Sequence, residues 1–227
     1  MPPLLPDHLY PLFHGFLHEI RNPMSAVLTA STLLAEPKLL EDGDFADLLK
    51  VVVEETRRIN RVVNEFDRYL RVPPPDKEKF DLAALVRKVI DGLRDKKILD
   101  KKVRLVDELP AKLMVTGDSS QIGEALQALL INASQALQSD SKSPLILALC
   151  PEKSTSHIVF LIRDTGEGFT VESAKRAFEP FYSSRSEATG LGLPMALALI
   201  ENNSGKLEIV PSEKEGEGAC LRVTLNK

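Results

Sequence analysis

The sequence predicts an α+β chain: an N-terminal helical hairpin that dimerises into a four-helix bundle, then an α/β sandwich with a mixed sheet covered by helices. Three observations lead there. Two successive stretches, 9–35 and 45–70, carry apolar residues at alternating spacings of three and four. Val72-Pro73-Pro74-Pro75 then stops any helix, because proline lacks the backbone donor and prolines in series form a stiff spacer. Beyond that spacer, helical and alternating patterns take turns to the C-terminus. The expected domains are 1–72, a linker at 73–79, and 80–227.

In 9–35 the repeating positions are Phe13, Phe16, Ile20, Pro23, Val27, Ala30 and Leu34. In 45–70 they are Phe45, Leu49, Val52, Thr56, Ile59, Val63, Phe66 and Leu70, with Glu54, Glu55, Arg57, Arg58 and Arg61 off the seam. The connection 36–44 holds Pro37 and Gly43 and ends on Asp44, placed as an N-cap. Two helices alone bury little, so the hairpin is expected to pair with a second copy, and Phe66→Asp to split the dimer.

In the second part, Asp81 is expected to cap a helix to about Leu93. Residues 102–107 alternate like a strand, and 119–137 form a helix with Ile122, Ala125, Leu126, Leu129, Leu130, Ala133 and Leu137 on one face. Strands are expected at 145–150 and 157–163, adjacent to each other, then a helix at 193–202 and strands at 206–210 and 220–225. Cys150 and Cys220 fall in strand-like stretches and read as two buried thiols of a reducing compartment.

The chain has 227 residues, 43% hydrophobic and 27% charged, with no tryptophan and a net charge of −4. That balance gives no electrostatic reason to expect nucleic acid or an anionic membrane as partner. No apolar run approaches the length of a membrane span, and the first residues lack the basic-then-apolar order of a signal peptide. The expected location is the cytoplasm.

Four strings carry chemistry. His18 opens His18-Glu19-Ile20-Arg21-Asn22-Pro23. At 100° per residue it lies about 200° from Phe16 and from Ile20, so it points outward from the seam. Neutral imidazole is a competent nucleophile near pH 7, and Glu19 could accept its second ring proton. Pro23 is expected to bend the helix. Taken alone, this is a surface histidine beside a glutamate. Asn132 sits in an apolar helix, either as a hydrogen-bonded structural residue or as an oxygen ligand for Mg²⁺. Asp164-Thr165-Gly166-Glu167-Gly168 follows an apolar strand. It is either a hairpin turn or a carboxylate for a base's exocyclic amine, with glycines that let the backbone approach the ring. Thr189-Gly190-Leu191-Gly192-Leu193-Pro194 opens a helix whose N-terminus favours phosphate, or is a plain glycine-rich turn.

Together these strings resemble a known family. His18 to Pro23 is similar to the phosphoacceptor box of sensor histidine kinases. Asn132, Asp164 to Gly168, Phe178-Glu179-Pro180-Phe181-Tyr182 and Gly190 to Gly192 resemble, in order, the N, G1, F and G2 boxes of their ATP-binding domain. Gly216-Glu217-Gly218 before the last strand also looks like this family. The resemblance covers about 9–225 and implies a sandwich of the histidine kinase, gyrase and Hsp90 ATPase type, with ATP and Mg²⁺ as cofactors. It implies Mg²⁺ on Asn132, adenine on Asp164, and phosphates on Gly190 and Gly192. Gly166, Gly168, Phe178, Thr189 and Leu191 belong to the same boxes. Residues 178–190 look like a short lid of the nitrogen-regulatory type, with Arg185 placed for the γ-phosphate.

Some positions depart from the pattern. Ala128 replaces a polar residue, which argues against simple ATP hydrolysis. Gln135 stands where many members have a basic phosphate contact, and Ala188 where a glycine often begins the G2 box. Asn202-Asn203-Ser204-Gly205 replaces the usual His-Gly-Gly turn and reads as neutral. The implied partners are a response regulator receiver domain and a second copy of the chain. Either the chain is truncated or its input comes from a separate sensor protein. The competing readings are a phosphotransfer adaptor, a dimeric scaffold without catalysis, and a kinase biased towards phosphatase action through Asn22.

Overall fold

The computed structural model describes residues 10–35, 44–99, 103–136, 146–152, 157–185, 188–211 and 218–227. The connection at 36–43, Leu137, Leu145, Gly216, Glu217 and the side chain of Cys150 lie outside the described residues. The chain divides into two compact units, one of residues 1–71 with 180–191, the other of 72–179 with 192–227. Segment 180–191, expected within the C-terminal domain, thus clusters with the hairpin.

In the first unit, α1 (Tyr10–Leu34) packs against α2 (Asp44–Leu70). Asp44 and Asp47 stand in the first turn of α2, where the helix dipole favours negative charge. Asp44 is therefore the first helical residue rather than the residue before it. The expected seam of α2 resolves into two stripes. Val62, which that seam omits, is fully buried together with Phe66, whereas Phe45, Leu49, Val63 and Leu70 are 60, 46, 41 and 50% exposed. Phe66 packs inside its own hairpin, on Phe13 and Phe16. Phe66→Asp would therefore unfold the hairpin and not merely separate two copies, which corrects the expectation from sequence. The helix α1 continues through Pro23, which is buried.

In the second unit, a two-stranded antiparallel sheet joins β1 (Glu78–Asp81) to β3 (Met114–Gly117). A five-stranded sheet runs β2 (Arg104–Asp107), β4 (Ile146–Glu152), β5 (His157–Asp164), β7 (Cys220–Asn226), β6 (Lys206–Ile209). Among the described residues, only β2 and β4 pair in parallel; β4 and β5 are antiparallel neighbours, as the spacing predicts. The helices α3 (Leu82–Asp95), α4 (Ser119–Ala136) and α6 (Gly192–Asn202) form the other layer, and α5 (Val171–Arg176) is a short helix capped by Thr170.

Alternation buries one face of the sheet: Leu221, Val223 and Leu225 of β7 and Phe160 and Ile162 of β5 face inward. They meet a helical layer whose apolar stripes include Leu82, Val86 and Ile90, then Ile122, Leu126, Leu129 and Leu130, then Ala196 and Ile200, all nearly inaccessible. Cys220 is a free thiol and only half buried, so the reading of it as buried does not hold.

Polar groups fix the ends of these elements. The Asp118 carboxylate accepts from the backbone N–H groups of Ser120 and Gln121 and so caps α4. Buried Asn203 uses every polar atom it has. Its Nδ2 donates to Leu199 O and to Gln121 Oε1, and its Oδ1 accepts from the Asp118 N–H at 2.7 Å. Gln121 Nε2 and Asn202 Nδ2 in turn donate to the carbonyl of Pro73 at 2.9 and 2.8 Å. The Asn202-Asn203 turn, neutral from sequence, is therefore a clamp that straps the proline linker to its domain.

Asp81 does more than cap α3. Its Oδ1 accepts from the N–H groups of Ala83 and Ala84 and also from that of Leu113, which leads into β3. The Leu113 hydrogen bond, partly opposed by desolvation, holds this carboxyl below its ordinary value of 3.8, and the bonds from Ala84 and Ala83 add to it. Because the folded value is the lower one, its contribution is complete above the ordinary value and is lost as pH falls through the folded value. Asp81→Ala is expected to melt earlier than the parent at pH 7. Thermal unfolding at a series of lower pH values should show the difference shrinking below pH 3.8.

Candidate functional site

On α1 the chain places His18 and Asn22 on the surface, four residues apart and hence on one helix face. The ring of His18 points to solvent, as the spacing predicts. Glu19 turns the other way, across the hairpin, where its Oε2 lies 3.6 Å from Nη2 of Arg58, both side chains mostly buried. Arg58 was legible only as a charge off the seam; its reach to Glu19 depends on the register of the two helices. Beyond Pro23, Ser25, Thr29 and Thr32 each donate a hydroxyl to the carbonyl four residues earlier.

Segment 180–191 completes this unit. Phe181 lies 5.6 Å from Phe66 and 6.4 Å from Phe16 between ring centroids. Its N–H donates to Gly190 O at 3.0 Å, closing the segment into a loop. Gly190 holds φ 69°, and a Cβ there would stand 2.5 Å from the backbone of Phe181. The loop thus needs glycine for its own closure. Thr189 Oγ1 donates to Glu65 Oε2 at 2.5 Å, Leu191 is buried, and Arg185 is half-buried, its N–H bonded to Ser183 Oγ.

The second unit holds the other predicted residues. Asp164, at the end of β5, is 6% exposed. Its Oδ1 accepts from the N–H groups of Gly166 and Ala219 at 2.9 and 3.1 Å, so the carboxylate is fixed before any ligand arrives. The glycines around it serve chain packing. A Cβ on Gly166 would meet the carbonyl of Ala136, in the last turn of α4, at 2.6 Å. A Cβ on Gly168 would meet Gly218 O at 2.5 Å, and one on Gly218 would fall 1.9 Å from Asp164 O. These contacts bring the Asp164 loop to the end of α4 that carries half-buried Asn132 and exposed Gln135. Phe178 is half-buried in the turn after α5. Gly192 begins α6 with open space where its Cβ would be.

The structure therefore groups Asn132, Gln135, Asp164, Gly166, Gly168, Phe178 and Gly192 in one unit. It groups His18, Glu19 and Asn22 with Arg185, Thr189, Gly190 and Leu191 in the other. A fixed carboxylate suits a ligand with an exocyclic amine, and an amide oxygen on α4 suits a hard cation. An exposed histidine on a helix suits group transfer.

Comparison with known proteins supplies the context. Residues 12–72 match the family described as His Kinase A (phospho-acceptor) domain. Residues 117–227 match the histidine kinase-, DNA gyrase B-, and HSP90-like ATPase family. A putative sensor histidine kinase NtrY-like of Rickettsia felis is 28% identical over 92% of this chain and 35% of its own length. Sporulation kinase E of Bacillus subtilis is 28% identical over 93% of this chain and 28% of its own. The chain thus spans about a third of the length of these relatives. The solved complex of histidine kinase ThkA with the response regulator protein TrrA aligns with 96% of this chain and 62% of that one, at a TM-score of 0.76 and 19% identity. Among the described residues, no helix is long and apolar enough to cross a membrane.

Two glycine substitutions separate packing from openness. Gly218→Ala, at φ 85° and against Asp164 O, is expected to destabilise the second unit by about 1–3 kcal/mol. Gly192→Ala, with no neighbour within 4 Å, is expected to melt at or above the parent temperature. Calorimetric melting of the two variants checks both.

Proposed function

The chain belongs to the histidine kinase family, and on that premise we propose that it is the kinase core of a two-component signalling system. It takes the γ-phosphoryl group of ATP onto His18 and passes it to an aspartate on a response regulator's receiver domain. What carries this reading is the pairing, in one chain, of an exposed helical histidine in the His18–Pro23 string with a buried, pre-fixed Asp164 beside α4.

In the transfer, an imidazole nitrogen of His18 forms a bond to the γ-phosphorus. The bond from that phosphorus to the bridging oxygen breaks, and ADP leaves with the electron pair. The proton on the other ring nitrogen goes to solvent, or to Glu19 once it leaves Arg58, which in this structure holds it across the hairpin. Asp164 accepts the exocyclic amine of adenine, and the two backbone donors on its Oδ1 keep it aimed. Phe178 and Gln135 flank the nucleotide. With nucleotide bound, Thr189, Gly190, Leu191 and Gly192 would face the phosphates and Arg185 would reach the γ-phosphate. Asn132 offers the hard oxygen that Mg²⁺ prefers, and Mg²⁺ there would offset phosphate charge.

Asn22 lies on the same exposed face as His18 and is placed to orient water against the receiver's phospho-aspartate, which makes the protein a phosphatase as well. The transfer draws on ATP and a receiver domain, so it runs in the cytoplasm. The signal arrives through a separate sensor protein or through further parts of a longer polypeptide.

The dimer follows from the unpaired stripes. Leu17, Met24 and Leu28 of α1 are 56, 55 and 69% exposed, and Phe45 and Leu49 of α2 are 60 and 46% exposed. A second hairpin covering these faces makes the four-helix bundle.

Incubation with radiolabelled Mg-ATP is expected to label the protein in an acid-labile, alkali-stable form, and His18→Gln to lose the label. Labelling that persists in His18→Gln would remove His18 from the mechanism. For assembly, Leu28→Glu combined with Leu49→Glu is expected to convert a dimer to a folded monomer by light scattering, since both side chains are exposed within one copy.

A further inference from the structure

Glu19 and Arg58 form an ion pair across the hairpin, Oε2 to Nη2 at 3.6 Å, with side chains only 19 and 25% exposed. The placement follows from helix spacing. Glu19 stands one turn after Phe16 and one turn before buried Pro23, and Arg58 stands one turn before fully buried Val62. Both therefore lie on the faces that α1 and α2 turn to each other, where apolar residues are expected. The pairs within α2 differ: Lys50 with Glu54 and Arg71 with Asp67 keep their side chains 57–78% exposed. Stability does not account for the inner pair. Desolvating two charges offsets most of what their attraction returns, and two apolar side chains of the same size would hold the helices as well. Loss of one partner alone is another matter, because it leaves a charge without its counter-ion in a poorly hydrated place.

We propose that Arg58 is a positioning residue that restrains autophosphorylation: it holds the Glu19 carboxylate across the hairpin, away from the proton that His18 loses. The proposal rests on the reading of His18 as phosphoacceptor and Glu19 as its proton acceptor. In that transfer one ring nitrogen bonds to the γ-phosphorus, and ADP leaves with the electron pair of the broken P–O bond. The proton on the other ring nitrogen passes to a Glu19 oxygen and leaves a neutral carboxyl. Consecutive helical side chains diverge by about 100° and do not face each other. The exposed ring of His18 and the inward carboxylate of Glu19 obey that rule. Glu19 reaches the ring proton only by swinging outward, and that swing separates it from Arg58. The ion pair and the proton transfer are thus alternatives for a single carboxylate. Without Arg58, the charge on Glu19 is best hydrated on the outer side of α1, where His18 stands.

Initial rates of label uptake from radiolabelled Mg-ATP, measured on the full chain over a range of ATP concentrations, give kcat and the KM for ATP. Arg58→Gln removes the charge and keeps a polar, helix-compatible side chain. It is expected to raise kcat at least about threefold, a small part of what a positioned base contributes. KM is expected to stay unchanged, because Arg58 is not among the groups assigned to the nucleotide. Arg58→Lys, which restores a cation, is expected to bring kcat back toward the parent value. In a Glu19→Gln background Arg58→Gln is expected to give no gain, because both changes act on one pair. A kcat for Arg58→Gln equal to or below the parent's overturns the restraint and leaves His18 standing as phosphoacceptor. So does a gain that persists with Glu19→Gln or that Arg58→Lys shares in full. Should Arg58→Gln fail to fold by circular dichroism, Arg58→Met, apolar and a good helix former, takes its place in each comparison. A parent that takes up no label overturns the kinase reading and the restraint with it.

Discussion

Phe181 reaches the hairpin from a segment whose two ends, Pro180 and Leu191, continue into the α/β unit. Its ring meets Phe66 and Phe16, and Phe16 stacks on Phe66 at 4.2 Å with the planes 19° apart. Burying aromatic rings in contact is among the larger stabilising terms open to a chain with no tryptophan. This cluster is why the compact units interleave in sequence. Gly15 supplies the space, Gly190 lets the loop close, and Glu65 and Thr189 add a polar tie at its end. His18, the proposed phosphoacceptor, sits one turn beyond Gly15, so the cluster and that residue share one short stretch of α1.

The two units rest on different balances. The α/β unit carries a one-sided sheet under a helical layer, and its polar ends are closed by Asp81, Asp118, Gln121 and Asn203. The hairpin buries few side chains deeply, notably Ala30, Val62 and Phe66, and leaves long apolar stripes exposed. In the proposed dimer a second copy would answer that deficit; within one copy, segment 180–191 answers it in part.

The periodic and local features were legible in the sequence. Heptad spacing gave the hairpin, alternation gave the central strands, and the order of the strings around His18, Asn132, Asp164 and Gly190 gave the family resemblance. What escaped depends on contacts between distant residues. β1 is four residues long and largely charged, and it exists because β3 pairs with it. The second acceptor role of Asp81, toward Leu113, needs the folded approach of β3. Asn202 and Asn203 look like an ordinary turn until Gln121 and Pro73 are beside them. The heptad spacing shows the seam of α2 as one stripe because a sequence pattern cannot divide apolar positions between an internal and an external partner. The glycines at 166, 168 and 218 pack against Ala136, one another and Asp164, a constraint that a motif marks without explaining.

The seat of segment 180–191 can be fixed covalently. The Cβ position at Gly15 lies 3.0 Å from Cβ of Phe181, close to the ~3.5–4.5 Å that a disulfide spans. Gly15→Cys with Phe181→Cys, in a chain whose Cys150 and Cys220 are replaced by serine, would be oxidised with glutathione disulfide. Mass spectrometry would read the bond in the folded protein. The account predicts that the two cysteines pair readily, because the seat holds them side by side. A folded double variant whose two cysteines stay reduced would contradict it.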